Sequence, residues 1–415
     1  MITQTVQPIE SISDAVVIGG GPVGSYAALN LAKLGVKVIV FEEHPEIGLP
    51  SHCAGHLSIR SLRNMGLYPL PKGIVENTFD TANFYSPTGT KFSLHLSQPV
   101  TTVLNRARFD QYLAEQAKAA GARFILDARV QSLIKADGLV KGVNVQLNGQ
   151  KEEVYAKITL DSEGISSRLL RQAGLTTLKP KGLVYAVEAE VENLKDTEHN
   201  AVEVYFGKSY APGFYGWLIP KLDGTAKVGL ATNQGNPHEF LQALMSKHPV
   251  ASKQLGKAKI TKIGYHAITL GGPISRTYGN GFLACGDCAS QVKPTTGGGV
   301  IFGLTCAKIA AQTASEALQQ RDFSSDFLQS YQKRCSDLLS FDFSVMLKLR
   351  RFLDSLSDEK VDEMLRVCGK LGVNMALTDV DEIDFQGKMI LTVLGKPSML
   401  AALAYFGILY LSANP

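Results

Sequence analysis

A thiol flanked by two imidazoles is the first feature that could do chemistry in this 415-residue chain: His52, Cys53 and His56 fall together in "HCAGH". A thiolate is a nucleophile and a soft metal ligand, and imidazole carries protons near neutral pH. Zinc asks for four ligands, and no second group of Cys or His stands at a fitting spacing, so no metal is expected. What remains is redox or acid–base work beside a bound cofactor, with plain loop packing as the alternative. Signs of such a cofactor lie on either side. Gly19, Gly21 and Gly24 follow the apolar run Ala15–Ile18, and Glu42 ends the next apolar run. Much later, "CGDCASQVKPTTGGGV" puts Asp287 after a third apolar run, with Gly297, Gly298 and Gly299 opening a helical pattern at Val300.

The elements around these residues give each a task. Asp14–Glu43 reads as strand, tight turn, helix over Ser25–Lys33 stopped by Gly35, and a second strand ending in acid. Gly19 lets the chain turn, Gly21 lets the backbone approach a pyrophosphate, and Gly24 lets the helix pack on the strand. Free amides at the helix N-terminus meet the phosphate charge, and Glu42 accepts hydrogen bonds from a ribose diol. Asp287 is placed to bind sugar hydroxyls, while Gly297–Gly299 put bare amides at a second positive helix end. Such amides would stabilise an isoalloxazine ring that becomes anionic on reduction, so the dinucleotide is read as FAD rather than NAD. Arg106 precedes a helix over Phe109–Ala120, where a guanidinium can reach a phosphate; a solubilising surface arginine is the alternative. Cys285 and Cys288 have the spacing of a redox pair but precede a loop, so Cys285 is read as the buried end of a strand.

Residues 79–96 predict a β-hairpin about the turn Ser86–Gly89, and 138–160 a second one about Asn148-Gly149. "DSEGISSRLLRQAGL", from Asp161, predicts another strand, glycine turn and helix. From 184 to 229 strands dominate and carry Tyr205, Phe206, Tyr210, Phe214, Tyr215 and the sole tryptophan, Trp217. These rings are either an apolar substrate wall or the core of their own sheet. Residues 320–381 are helical in pattern and offer no chemistry. The fold class expected is α/β (α+β): a Rossmann-like FAD-binding domain with an inserted antiparallel-sheet substrate domain and a C-terminal helical region. The expected divisions are 12–77, 97–180 and 270–318 for the cofactor domain, 78–96 and 181–269 for the substrate domain, and 319–415 for the helices.

Composition sets the outer bounds. With 45% hydrophobic and 19% charged residues the chain is globular, not disordered or fibrous. A net charge of +4 spread over 42 basic and 38 acidic residues, with no basic run, gives no reason to expect nucleic acid. Six scattered cysteines fit a reducing compartment, and the first dozen residues lack a basic region followed by an apolar stretch, so a cytoplasmic protein is expected. The tail Met399–Leu411 is too short to span a bilayer; it reads as a buried terminal helix, or as an interfacial one with Lys388 and Lys396 near headgroups.

Four motifs, the Gly19 fingerprint with Glu42, "LNRARFDQYL", "LDSEGISS" and "CGDCASQVKPTTGGGV", together resemble the FAD-dependent aromatic hydroxylase superfamily. "EHPEIGLPSHCAGH" resembles the cysteine loop of the geranylgeranyl reductase family, and "FYGWLIPK" followed by "KVGLA" resembles that family's lipid-site strand. The resemblance implies a reductase saturating double bonds of isoprenoid chains, in archaeal digeranylgeranylglycerophospholipids. It also implies FAD contacts near Val23, Glu42, Cys53, Ala54, His56, Arg106, Val130, Asp287, Gly299 and Val300, and lipid contacts at Tyr215, Trp217 and Pro220. Three departures stand out: Ile219 in place of Phe, Cys285 and Cys288 in place of an apolar residue and Ala, and His56 in place of a small residue. On this reading FAD N5 delivers hydride to one alkene carbon, Cys53 sits against the flavin, and His52 or His56 supplies the proton. The rival readings are an aromatic monooxygenase of the same fold and a non-catalytic prenyl-binding protein. Electrons would come from NAD(P)H or ferredoxin, and the protein would be cytoplasmic with a peripheral place at the inner face of the membrane.

Overall fold

The computed structural model describes residues 12–413; the stretch read above for a leader lies outside them except for Ile12. Ala15, Val16 and Val17 are fully buried, which is why their run is continuously apolar: the strand Ile12–Ile18 is covered on both faces. It pairs in parallel with Val38–Phe41 on one side and Gln150–Asp161 on the other. The sheet runs Tyr278–Gly279, Phe282–Ala284, Gln150–Asp161, Ile12–Ile18, Val38–Phe41, Arg123–Ile125, and the hairpin Ala128–Ala136 with Leu139–Leu147 joins it at Gln150–Asp161. Two strands more than a hundred residues apart, ending at Ile18 and Ala284, thus flank Asp161 at one edge of one sheet. Helices Pro22–Lys33, Arg106–Ala119 and Val300–Gln320 cover it, the last through a buried stripe of Ala307, Ala310, Ala311 and Ala314.

A second, seven-stranded sheet runs Lys259–Thr269, Leu183–Glu192, Ala226–Thr232, Gly216–Pro220, Ala201–Tyr205, Thr81–Tyr85, Lys91–His95. It departs from the antiparallel sheet expected at one place, where Thr81–Tyr85 pairs in parallel with Ala201–Tyr205. One face packs Val187, Leu218, Val228 and Leu230 against Leu241 and Leu244 of the helix Pro237–Lys247. Alternation sends the intervening side chains to the opposite face, and that face is the wall of the site below.

Local chemistry displaced the helix expected after Asp161. Glu163 accepts the amide of Leu169 and the hydroxyl of Ser166, and Ser167 lies in the left-handed region at φ 43°, leaving one short turn over Gly164–Ser166. At the C-terminus, Ser325–Ser355, Asp358–Lys370, Gln386–Val393 and Pro397–Ala413 are helical. Met399, Ala402 and Leu409 of the last helix are buried, while Leu400, Ile408 and Tyr410 are exposed. Lys396 donates to the carbonyl of Ala376 and Lys388, half-exposed, to that of Leu338. Among the described residues no helix is long and apolar enough to cross a membrane.

Candidate active site

The edge where Ile18, Asp161 and Ala284 end opens into a cavity of about 690 Å³ between the two sheets. At its first end Gly19 turns at φ 92°, and a Cβ there would stand 2.4 Å from the carbonyl oxygen of Ser162. A Cβ on Gly24 would stand 1.9 Å from the Gly19 oxygen, so helix Pro22–Lys33 meets the turn at backbone distance. Gly21 has nothing within 4 Å of such a Cβ and borders the cavity. No side chain caps this helix, which leaves its first amides facing the cavity. Glu42 lies across the turn, accepting from the Gly20 amide at 2.7 Å and the His44 amide at 2.9 Å. Val130 borders the cavity on the Glu42 side, where Ala128 donates to the Glu42 carbonyl.

Opposite, Asp287 sits in a short turn over Gly286–Ala289, and a Cβ on Gly299 would come within 2.7 Å of its carboxylate. Gly299 is therefore the position that lets an acid lie over a second uncapped helix N-terminus, at Val300. One expectation is corrected here: the Gly297 amide is not bare. Its φ of 69° folds it back onto the Lys293 carbonyl at 2.9 Å, and the Gly298 amide leans on Thr296 Oγ1 at 3.4 Å. Val23 borders the cavity and packs against Gly286 and Gly303, joining the two helix ends. Cys285 and Cys288 are free and buried, both with Sγ toward the Asp161 carbonyl, and burial pushes both thiols up, which makes them poor nucleophiles.

His52, Cys53, Ala54 and His56 all reach the cavity but do not converge as ligands would. Cys53 Sγ accepts the Gly55 amide at 3.4 Å. The His52 ring stacks on His266 at 6.3 Å with its Nδ1 unpartnered, and His56 packs edge-on to Phe79 with its Nε2 unpartnered. Burial holds both imidazoles below their ordinary range, His56 down to about 4. Arg106 is buried and borders the cavity; its Nε and Nη2 bind the Asp110 carboxylate, Nη2 reaching both oxygens at 3.0 and 3.1 Å, and it also interacts with Cys53.

The sheet supplies the far wall. Tyr215, Trp217 and Ile219 alternate toward the cavity, joined by Phe84 and Val204 from neighbouring strands. Tyr215 donates to the Thr296 carbonyl at 2.8 Å, tying wall to glycine loop. Pro220 points the other way: it does not border the cavity, and its carbonyl accepts from Asn77 at 3.0 Å. Three groups went unread in the sequence. Lys227 donates to the carbonyls of Ala54 and Leu104 and pairs with Glu76 at 2.9 Å, clamping the cysteine loop. Lys293 forms a buried pair with Asp384, from the C-terminal region, and Glu188 carries a carboxyl on the wall. Lys293 has a signal in its place beside the glycine triplet; Asp384 has none.

An open cradle at Gly21, an acid held at Glu42 and two uncapped helix ends suit a long dinucleotide, and the residues present fit FAD. Comparison with known proteins agrees. The family profile described as FAD binding domain matches residues 13–339. A digeranylgeranylglycerophospholipid reductase 2 of Methanopyrus kandleri is 32% identical over 93% of this chain and 97% of its own length. A geranylgeranyl bacteriochlorophyll reductase-like protein from Thermoplasma acidophilum superposes with a TM-score of 0.85 at 26% identity, covering 95% of this chain and 99% of that one. A flavin-dependent brominase, TM-score 0.68 and 18% identical over 92% of this chain and 98% of its own, shares the fold alone. With the profile covering most of its length and a reductase relative covered almost end to end, the chain belongs to the digeranylgeranylglycerophospholipid reductase family of FAD-binding proteins.

Proposed function

We propose that the protein saturates carbon–carbon double bonds in the geranylgeranyl chains of isoprenoid membrane lipids. The observation that carries this reading is the shared space: the cofactor cradle opens directly onto a sheet face of Phe84, Val204, Trp217 and Ile219, which suits a prenyl chain better than a phenol. FAD, when bound and reduced, supplies hydride at its N5. The chain's own residues hold the alkene, exclude water and bring a proton. Tyr215 and Lys227 fix the wall and the cysteine loop, and on this reading Cys53, which borders the cavity, lies against the flavin ring. His56, held neutral by burial, serves as an uncharged wall group, which leaves His52 as the imidazole that can pass a proton inward from the loop. Electrons reach the protein from NAD(P)H or ferredoxin.

The reading extends to a peripheral membrane position on the cytoplasmic side. Leu391, Leu400, Ile408 and Tyr410 form an exposed apolar edge of the last two helices, where a lipid would be collected. Flotation with anionic vesicles should fail for Leu400→Glu/Ile408→Glu and succeed for the natural chain. The function itself is tested by mixing the reduced, flavin-loaded protein anaerobically with geranylgeranyl lipid and weighing the product. A gain of two hydrogens per reduced bond supports the reading; an unchanged lipid refutes it. Hydroxylation of a phenol with fast NAD(P)H oxidation under air would select the monooxygenase instead.

A further inference from the structure

From strand Leu183–Glu192, Ala186 and Glu188 border the cavity, which sets an acid beside the apolar residues of the wall. Pairing register explains how it fits. Glu188 lies opposite Gly264 on one neighbouring strand and opposite Gly229 on the other, and Gly229 in turn lies opposite Trp217. A Cβ on Gly229 would stand 2.5 Å from the Trp217 ring, so the indole reaches across the missing side chain and donates Nε1–H to Glu188 Oε2 at 3.3 Å. His52 lies over Gly264 in the same way, 2.9 Å from where a Cβ would be. Two glycines thus clear a slot in which one carboxyl sits between an indole and an imidazole.

The cations around Glu188 are taken by other groups. Lys227, on the strand beside it, donates to the carbonyls of Ala54 and Leu104 and pairs with Glu76 at 2.9 Å. Arg106 is committed to Asp110, and Lys221 serves Glu190 at 3.2 Å with Glu76 and Asp223 nearby. Glu190, on the same strand, adds like charge, and His266, opposite Ala186, is held neutral by burial. Burial pushes the Glu188 carboxyl up to about 7, against the opposing pull of the Lys227 charge, the Trp217 N–H and Arg106, so a sizeable fraction carries a proton near neutral pH. An indole can only donate, so Oε2 is the accepting oxygen and the proton rides on Oε1, free to point into the cavity.

We propose that Glu188 is the acid that protonates the alkene, an assignment that rests on the reductase reading above. The π pair takes the proton from Glu188 Oε1: a C–H bond forms, the O–H bond breaks, and a carboxylate remains, held by the Trp217 N–H. The adjacent carbon, left electron-deficient, accepts the hydride that reduced FAD supplies, which completes the two-electron reduction. Water returns a proton to Glu188 by way of His52.

Two measurements on the full chain test this. Trp217 is the sole tryptophan, so its emission reports the charge on the group it touches. Its pH titration, with FAD bound and again after flavin removal, should show a midpoint about 7 that is absent in Glu188→Gln. In the second, protein reduced by dithionite is mixed anaerobically with geranylgeranyl lipid and flavin reoxidation is followed. Glu188→Gln should react about 100-fold more slowly while binding FAD and reacting with O₂ as before, and Glu188→Asp should recover part of the rate. A Gln variant within about threefold of the natural rate, or an unchanged Trp217 titration in that variant, overturns the assignment. A natural protein that fails to react with the lipid overturns the reductase reading and Glu188 with it; an active natural protein with an equally active Gln variant sinks Glu188 alone.

Discussion

Two alanine substitutions three residues apart should fail in opposite ways, because one glycine faces protein and the other faces the cavity. At Gly24 a Cβ would stand 1.9 Å from the Gly19 carbonyl oxygen and 2.5 Å from Ser162 Oγ. Contacts below 3.0 Å force something to move, here the backbone of the turn itself, so the helix must back away by about 1 Å. Overpacking of this kind costs about 1–3 kcal/mol, and Gly24→Ala should unfold several degrees lower with or without cofactor. At Gly21 the dihedrals are φ −63° and ψ −176°, open to any residue, and no protein atom lies within 4 Å of a Cβ. The flavin-free Gly21→Ala protein should be as stable as the natural one, or more so by roughly 0.4–1 kcal/mol. Its new methyl group, however, projects where a pyrophosphate would cross the turn. A clash worth about 1–3 kcal/mol weakens FAD binding about 5- to 150-fold. Thermal unfolding without and with FAD, together with a fluorescence titration of the flavin, separates the two effects: Gly21→Ala loses the cofactor-dependent rise in Tm while keeping the basal Tm. If Gly21→Ala binds FAD as the natural protein does, the phosphates do not lie over this turn and the cradle is misassigned.

Cys53→Ala should retain flavin and lose most lipid turnover; full turnover with flavin bound would make the loop merely structural. Asp384→Ala leaves the Lys293 ammonium buried without its partner and should lower stability by about 3–5 kcal/mol in urea unfolding, whereas Lys293→Met/Asp384→Leu should recover most of that. A loss below about 1 kcal/mol for the single variant would show that the pair is solvated. His56 is held down to about 4 when folded, from 6.5, so its contribution is present above pH 6.5 and is lost as pH falls toward 4. His56→Gln should remove up to about 3 kcal/mol of that acid-side slope, and identical unfolding free energies at pH 7 and pH 5 in the natural protein would refute it.

The cofactor cradle is legible because most of it is local: Gly24 meets Gly19, and Glu42 the Gly20 amide, within one strand–helix–strand unit, where spacing alone implies position; Ser162, which closes against both glycines from a distant strand, is not. Arg106 shows what spacing leaves out. "RARFD" carries Asp110 at the spacing that pairs side chains on one helix face, and the structure joins them while Arg106 still borders the cavity. Pro220 shares its motif with Tyr215 and Trp217, yet the strand alternation that turns residues 215, 217 and 219 inward turns 220 away. Glu188 left no trace in the sequence because its slot is made by Gly229, Gly264 and Trp217 from three other strands, and only pairing register brings them together. Asp384 was equally hidden: it meets Lys293 from a loop ninety-one residues on, in a region whose helical pattern suggested no chemistry.

Buried polar ties hold the cavity's parts in place where apolar packing alone would leave their relative position loose. Replacing a buried ion pair with fitted hydrocarbon often stabilises a protein as well or better, so stability is not what Lys227 uniquely supplies. Its ammonium donates to the carbonyls of Ala54 and Leu104 and lies 2.9 Å from a Glu76 carboxylate oxygen, an arrangement reached only when all three converge on it. That convergence fixes the Cys53 loop against the sheet, a directional constraint hydrocarbon could not impose. The same lysine bears on the wall. Burial pushes the Glu188 carboxyl up to about 7, while the Lys227 charge on the neighbouring strand and the Trp217 N–H pull the other way. One lysine therefore both fixes the cysteine loop and tempers the acidity of the wall that faces it.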